Sequence, residues 1–322
     1  MNICSFWHVN SYALVSGIVG YKTNKYSNLM YLWFWVLFYQ VGIHYYFIIN
    51  KKYKNINPSL YKSCFPVIFL KYWYFTQYFG MYLFLPTINR GLSYLTKKEH
   101  KIFLFSIYGI FIIWNNINHS ITNVFGLNDG YSFIWLIISY FTGAFIGKYK
   151  NNYIEKKKFI AFPILIIIFI FSTIACFRLK YYQTEKLKDS NFKKIIIILK
   201  NLFKMRINSV PMILQSISLV LLVMNIPYNK YIGKIICFFG PLTFGIYLIH
   251  DNELIRGIII RNLFAKESSK LSQYMVVKLV IYKSIFIFFI CSFIDYLRFI
   301  IFQYLFRIKN ICILIEKKII KL

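Results

Sequence analysis

FIAFPILIIIFIFSTIACF, residues Phe159–Phe177, carries no charged side chain over a length close to the roughly 20 residues that a helix needs to cross a bilayer's hydrocarbon core. That run decides the solvent. Outward from it the chain repeats the pattern, long apolar stretches separated by lysine-rich punctuation. Hydrophobic residues make up 58% of the 322, and the mean hydropathy is +0.54, away from the balance of a water-soluble domain. The runs are apolar on all sides and lack the alternation of a barrel strand. The reading is an all-α, polytopic membrane helix bundle forming one domain over residues 1–322, with no soluble second domain, Walker loop or internal repeat.

About nine spans are expected, at Ile3–Tyr21, Leu29–Ile49, Tyr72–Ile88, Ile102–Trp114, Tyr131–Ile146, Phe159–Phe177, Val210–Ile226, Ile232–Ile249 and Met275–Phe306. The last is longer than one crossing needs. It holds Asp295 and Arg298, three apart, which either pair on one helical face or mark where the helix leaves the membrane.

A formal charge of +29 invites a nucleic-acid reading, but the 39 Lys and Arg lie mainly between the spans and no basic helix interleaved with stacking aromatics stands alone. Flanking lysines are read as topology signals and contacts to anionic headgroups, so no nucleic-acid partner is expected. Lys22, Lys25, Arg90, Lys97, Lys98, Lys101, Lys148, Lys150, Lys156, Lys157 and Lys158, with the tail lysines Lys309, Lys317, Lys318 and Lys321, fall on one side, which the positive-inside rule makes cytoplasmic. The Asn115–Gly130 loop has neither Lys nor Arg and falls outside. Lys51, Lys52, Lys54, Lys62, Lys71 and the Arg178–Arg206 segment run against this count, the last as a long loop of weak vote. Nine spans then put the N-terminus outside without a cleavable signal before the first, and an even count suggests a missing first helix. The location expected is the cell membrane, as a multi-pass protein. The richness in Ile, Lys, Asn, Tyr and Phe points to AT-rich coding and a bacterial source.

Six cysteines form neither a disulfide framework nor a metal site, since no C-x-x-C and no Cys–His pair at ligand spacing occurs. No metal is expected, and Cys4, Cys176, Cys237, Cys291 and Cys312 read as packing residues, with Cys64 alone in a loop. Aromatics, 21% of the chain, gather near span ends as interfacial belts do.

Any chemistry must come from polar groups within or at the ends of spans, each costing about 2.5–3.5 kcal/mol to insert if charged and so requiring a partner or a purpose. The first span carries His8, Asn10, Ser11, Ser16 and Gly17; the third, preceded by Lys71, begins Tyr72-Trp73 and carries Thr76, Gln77 and Tyr78. The eighth ends in His250, Asp251, Asn252, Glu253 and Arg256, the densest ionisable cluster at any span boundary. His250 beside Asp251 could supply an imidazole with its charge partner; a self-neutralising helix end is the plainer reading. His8 is a second weak catalytic candidate. Ser16-Gly17 also fits close helix packing, and Tyr72-Trp73 an aromatic belt.

Four blocks resemble the acyltransferase 3 family of integral-membrane acyltransferases. NSYALVSGIVGYKT (Asn10–Thr23) followed by LMYLWFWVLFYQVGIHYY is similar to its second and third helices. FPVIFLKYWYFTQYFGMYLFLPTIN (Phe65–Asn89) resembles its tryptophan-rich helix with a Pro-Asn exit, and GYSFIWLIISYFTGAFIGKY (Gly130–Tyr149) and TFGIYLIHDNELIR (Thr243–Arg256) match two further blocks in order. The resemblance extends to members of that family that acetylate capsule or exopolysaccharide sugars. The resemblance implies ten helices in the complete pattern, no bound cofactor, a cytoplasmic acyl-CoA (acetyl-CoA) co-substrate, and transfer to a hydroxyl of a glycan acceptor. It also implies a first helix with Arg/Lys ten residues before a catalytic His. That helix would precede Met1, so the chain reads as N-terminally truncated and its catalytic residues as unknown, with His8, His250 and Asp251 as candidates. Asn10, Ser16, Lys71, Tyr72 and Trp73 are the expected substrate-binding residues. The alternatives are a non-catalytic remnant and a polysaccharide polymerase or flippase.

Overall fold

A computed structural model describes residues 6–22, 25–50, 60–117, 125–149, 158–181, 190–204, 206–227, 229–261 and 271–320. Among them every regular element is helical and none is a strand, as fits apolar runs without strand alternation, whose N–H and C=O groups a helix satisfies within one segment. The helices are α1 Phe6–Gly20, α2 Tyr26–Ile49, α3 Leu60–Cys64, α4 Trp73–Tyr94 and α5 Lys97–Tyr108, then α6 Phe133–Tyr149, α7 Lys158–Tyr181, α8 Ser190–Leu202 and α9 Val210–Asn225. The remainder are α10 Lys230–Phe239, α11 Thr243–His250, α12 Gln273–Ile300 and α13 Ile308–Ile320. Among the described residues three stretches, Tyr26–Ile49, Lys230–His250 and Tyr274–Tyr304, are long and apolar enough to cross a membrane, and Phe133–Tyr149, Pro163–Cys176 and Val210–Asn225 are shorter apolar helices. The protein is an all-α membrane helix bundle.

The helices group into two compact units, Met1–Asn24 with Gly80–Pro227, and Lys25–Phe79 with Tyr228–Leu322. The boundary cuts α4, which contributes to both.

In the first unit α1 packs on α6 and on α9, and α9 on α7. Glycine makes the first contact possible. A Cβ on Gly17 would land on the Tyr140 carbonyl oxygen, one on Gly143 on the Leu14 carbonyl, and one on Gly147 on that of Ile18. The backbones therefore meet directly, as at small-residue interfaces between membrane helices. Thr96 and Glu99 form a capping box that starts α5 (Glu99 N–H to Thr96 Oγ1, 3.3 Å; Thr96 N–H to Glu99 Oε2, 2.8 Å). Lys148 ends α4 by donating to the carbonyls of Leu92 and Leu95, each at 2.8 Å, satisfying acceptors that a helix C-terminus leaves open. Gly130, at φ 97°, closes a left-handed turn against Ile207 that no side-chain-bearing residue would fit.

In the second unit a core of Trp35, Val36, Tyr39, Tyr72, Phe75 and Leu248 joins α2, the start of α4 and α11. α12 packs on α11, and α13 on α2, where the buried Glu316 carboxylate accepts the Tyr26 N–H at 2.6 Å at the start of α2. A carboxylate there complements the helix dipole. The outer side chains of α12, among them Tyr282, Phe286, Phe289 and Phe293, are exposed, as a lipid-facing surface requires.

Three element boundaries depart from the sequence reading. The polar insert Leu179–Asn208 contains the helix α8, whose four consecutive isoleucines are flanked by lysines on both sides. The eighth run passes through a 3-10 turn at Gly240–Leu242, where Pro241 lacks an amide proton. The long last run ends in a π-helical turn at Ile301–Leu305, and Arg307, at φ 46°, turns the chain into the separate α13. Lys51, Lys52, Lys54, Lys150, Lys156, Lys157, Lys321 and Cys4, on which topology and cysteine readings partly rest, lie outside the described residues, as does 118–124 of the Asn115–Gly130 loop. Cys64, Cys176, Cys237, Cys291 and Cys312 are free.

Candidate active site

The second unit gathers its polar groups at two places. At one, the C-terminal ends of α2 and α11 meet the residues leading into α4. Glu253, just beyond α11, is the hub: its Oε1 takes the Lys71 ammonium at 2.6 Å and faces His44 Nε2 at 3.1 Å. The His44 side chain is 1% exposed, Lys71 15% and Glu253 43%, so the set runs from core to surface. Hydrogen bonds from His44, then from Lys71, hold the Glu253 carboxyl down at about 2 against the opposing effect of burial. It is therefore an anion throughout the physiological range. His44 Nδ1 lies 2.9 Å from the Gln40 carbonyl, one turn back along α2. Both ring nitrogens thus face oxygens.

Beneath this lies a buried amide network whose orientation follows from the backbone. Asn252 Oδ1 accepts the Leu254 N–H at 3.0 Å, so its Nδ2 must be the group that donates to Gln40 Oε1 (3.0 Å) and Tyr72 Oη (2.9 Å). The Tyr72 hydroxyl in turn donates to the Leu248 carbonyl at 2.9 Å. Gln40 Nε2 remains buried without an acceptor among the described residues.

The second place is an ion pair inside the bundle. Arg298 donates to both Asp295 oxygens (Nε to Oδ1, 3.0 Å; Nη2 to Oδ2, 2.8 Å), and Asp295 Oδ1 also accepts from Trp35 Nε1 at 3.1 Å and the Tyr39 hydroxyl at 2.7 Å. The guanidinium lies 3.7 Å from the centre of the Trp35 ring, and its Nη1 reaches the Tyr31 hydroxyl at 3.3 Å. Of the two alternatives open for Asp295 and Arg298, pairing on one face is what the structure contains. The pair sits where α12 passes α11, with the carboxylate filling the space of a Cβ on Gly245. Each charge is partnered, which the cost of burying one alone demands.

The candidates from sequence separate. Lys71 and Tyr72 belong to the Glu253 network, and Trp73 opens α4 beside them with its ring edge-on to Tyr74 at 5.7 Å. His250 and Asp251 do not make the imidazole–carboxylate pair expected of them. His250 Nδ1 faces the Ile246 carbonyl at 2.6 Å, and Asp251 takes the Arg256 guanidinium at 2.7 Å. The reason is geometric, since neighbours in sequence at a helix end point in different directions. His8, Asn10 and Ser16 lie on α1 in the first unit. Asn10 is buried, donating to the Ile207 carbonyl and accepting from Trp135 Nε1, both at 2.8 Å. Ser16 Oγ donates back to the Tyr12 carbonyl at 2.9 Å, the usual bond of a helical serine. His8 is half-buried.

Sequence reasoning passed over His44 and Gln40. The signal was present, as two polar residues four apart on one face of an otherwise apolar span. Their partner Glu253 was visible only as one of four consecutive polar residues, His250–Glu253. Among the described residues no group of three His, Cys, Asp or Glu is placed to hold a metal ion.

No curated protein and no solved structure matches the chain. A family model described as an acyltransferase domain, acyltransferase 3, matches residues 18–295. That range takes in His44, Lys71, Glu253 and Asp295 and covers most of the 322 residues. The chain belongs to the acyltransferase 3 family of membrane acyltransferases.

Proposed function

We propose that the protein is a multi-pass O-acyltransferase of the plasma membrane of a bacterium, moving an acyl group, acetyl in the simplest case, from acyl-CoA to a hydroxyl of a cell-surface polysaccharide. The observation that carries the reading is the convergence of His44, Lys71 and Glu253 at helix ends in a chain of this family. Acyl transfer needs a base for the alcohol proton and donors for the oxyanion of the tetrahedral intermediate. His44 suits the first role once its Nε2 is released from Glu253, because the Gln40 carbonyl then holds the proton on Nδ1 and directs the Nε2 lone pair to the incoming hydroxyl. The alcohol oxygen bonds to the acyl carbon, the carbon–sulfur bond breaks, and the proton taken by His44 leaves with the thiolate. The products are an O-acyl ester and free coenzyme A thiol. The Lys71 ammonium, with three N–H groups, is the donor at hand for the oxyanion.

The test supplies membranes containing the protein with radiolabelled acetyl-CoA and the host's polysaccharide, and counts label released by mild alkali. Alkali-labile label that falls about 100-fold or more in His44→Gln, at equal protein in the membrane, is expected from removal of a general base. Absence of label in the unsubstituted protein, or full labelling by the variant, overturns the reading.

A further inference from the structure

Lys71 Nζ and His44 Nε2 converge on a single oxygen, Glu253 Oε1. The network is short of acceptors. Every acceptor oxygen of Asn252, Gln40 and Tyr72 in the amide network is already engaged, so Glu253 serves both donors. Glu253 reaches the site from the surface end, with 43% of its side chain exposed, whereas His44 is enclosed. Lys71 sits in the bend that leads into α4, and Glu253 opens the helical turn that continues into the π-helical turn Ile255–Ile260, an irregularity common beside functional sites.

We propose that Glu253 is a built-in stand-in for an oxyanion of the acceptor: Lys71 is the cation of an anion-binding subsite that Glu253 fills until an acidic acceptor displaces it, and His44 is the neighbour that the exchange releases. The chemistry it selects is a carboxylate or phosphate carried by a glycan, such as an acidic sugar or a phosphate ester. A neutral sugar would offer no charge to compete with a carboxylate for a lysine, since charge-assisted hydrogen bonds are roughly twice as strong as neutral ones. Displacement also frees His44 Nε2, so binding of the right acceptor would uncover the base. This last step rests on the acyltransferase reading of the same site, while the anion subsite itself does not.

The full chain in lipid nanodiscs is titrated with glucuronate, glucose 1-phosphate and glucose, following tryptophan fluorescence and thermal stability. Glu253→Gln keeps the shape and removes the charge, and is expected to bind at least one of the two anions tenfold or more tighter than the unsubstituted protein, with glucose unchanged. Preference for glucuronate names a carboxylate and preference for glucose 1-phosphate a phosphate. Adding Lys71→Gln to Glu253→Gln should abolish the gain. If Glu253→Gln does not fold, Glu253→Ser, which vacates the position, replaces it. Equal anion binding with and without Glu253, a gain shared by glucose, or a gain surviving Lys71→Gln overturns the proposal. Acetyl transfer measured on the same preparations separates the two readings, because anion binding without transfer leaves the subsite standing and refutes only the enzyme.

Discussion

Asp295 and Arg298 show how a single charge is tolerated inside this protein. The carboxylate accepts four hydrogen bonds and the guanidinium stacks on Trp35, so neither group is left unpaired. Removing one partner of such a pair costs about 3–5 kcal/mol, while neutralising both costs far less. Arg298→Met should therefore lower the melting temperature in detergent steeply, since it strands a buried anion against Trp35 and Tyr39. Asp295→Asn combined with Arg298→Met should restore most of the loss, because the amide oxygen still accepts from Trp35 and Tyr39 without a charge to balance. A double variant no more stable than Arg298→Met would show that the pair is not what is being measured.

Between elements the decisive contact is backbone on backbone. The α1–α6 seam closes only because Gly17, Gly143 and Gly147 have no Cβ to place on the opposing carbonyls. Gly143→Ala forces the two helices apart and is expected to cost at least the 1–3 kcal/mol typical of overpacking. Gly91, on the exposed side of α4, meets nothing within 4 Å. There Gly91→Ala should stabilise by about 0.5–1 kcal/mol, the intrinsic helix preference of alanine. The same substitution thus has opposite signs at two helical glycines, to be read as melting temperatures of the purified protein. Equal effects would contradict the close approach of α1 and α6.

For the whole molecule the question is which way it faces. The turn at Asn128–Gly130 precedes α6 and Lys148 ends it, so the helix, roughly 25 Å long at 1.5 Å per residue, separates a loop without Lys or Arg from a basic one. With the endogenous cysteines replaced, a cysteine at Asn128 should react with an impermeant maleimide in intact cells, and one at Tyr149 only after the membrane is opened. The reverse pattern would invert the orientation.

Apolar run length together with the absence of strand alternation determined that this is an all-helical membrane protein, since in hydrocarbon only helices and closed barrels satisfy their backbone groups. The four blocks from Asn10 to Arg256 carried the family in the same way, because motifs are local strings. What tertiary structure decided is which polar residues meet. His44 and Glu253 are 209 positions apart, and no local spacing relates them. His250 and Asp251, adjacent in the chain, do not pair, and Asn10 takes Trp135 and the Ile207 carbonyl in the first unit. Periodicity says which face of a helix a side chain occupies, but only packing says which other helix that face meets.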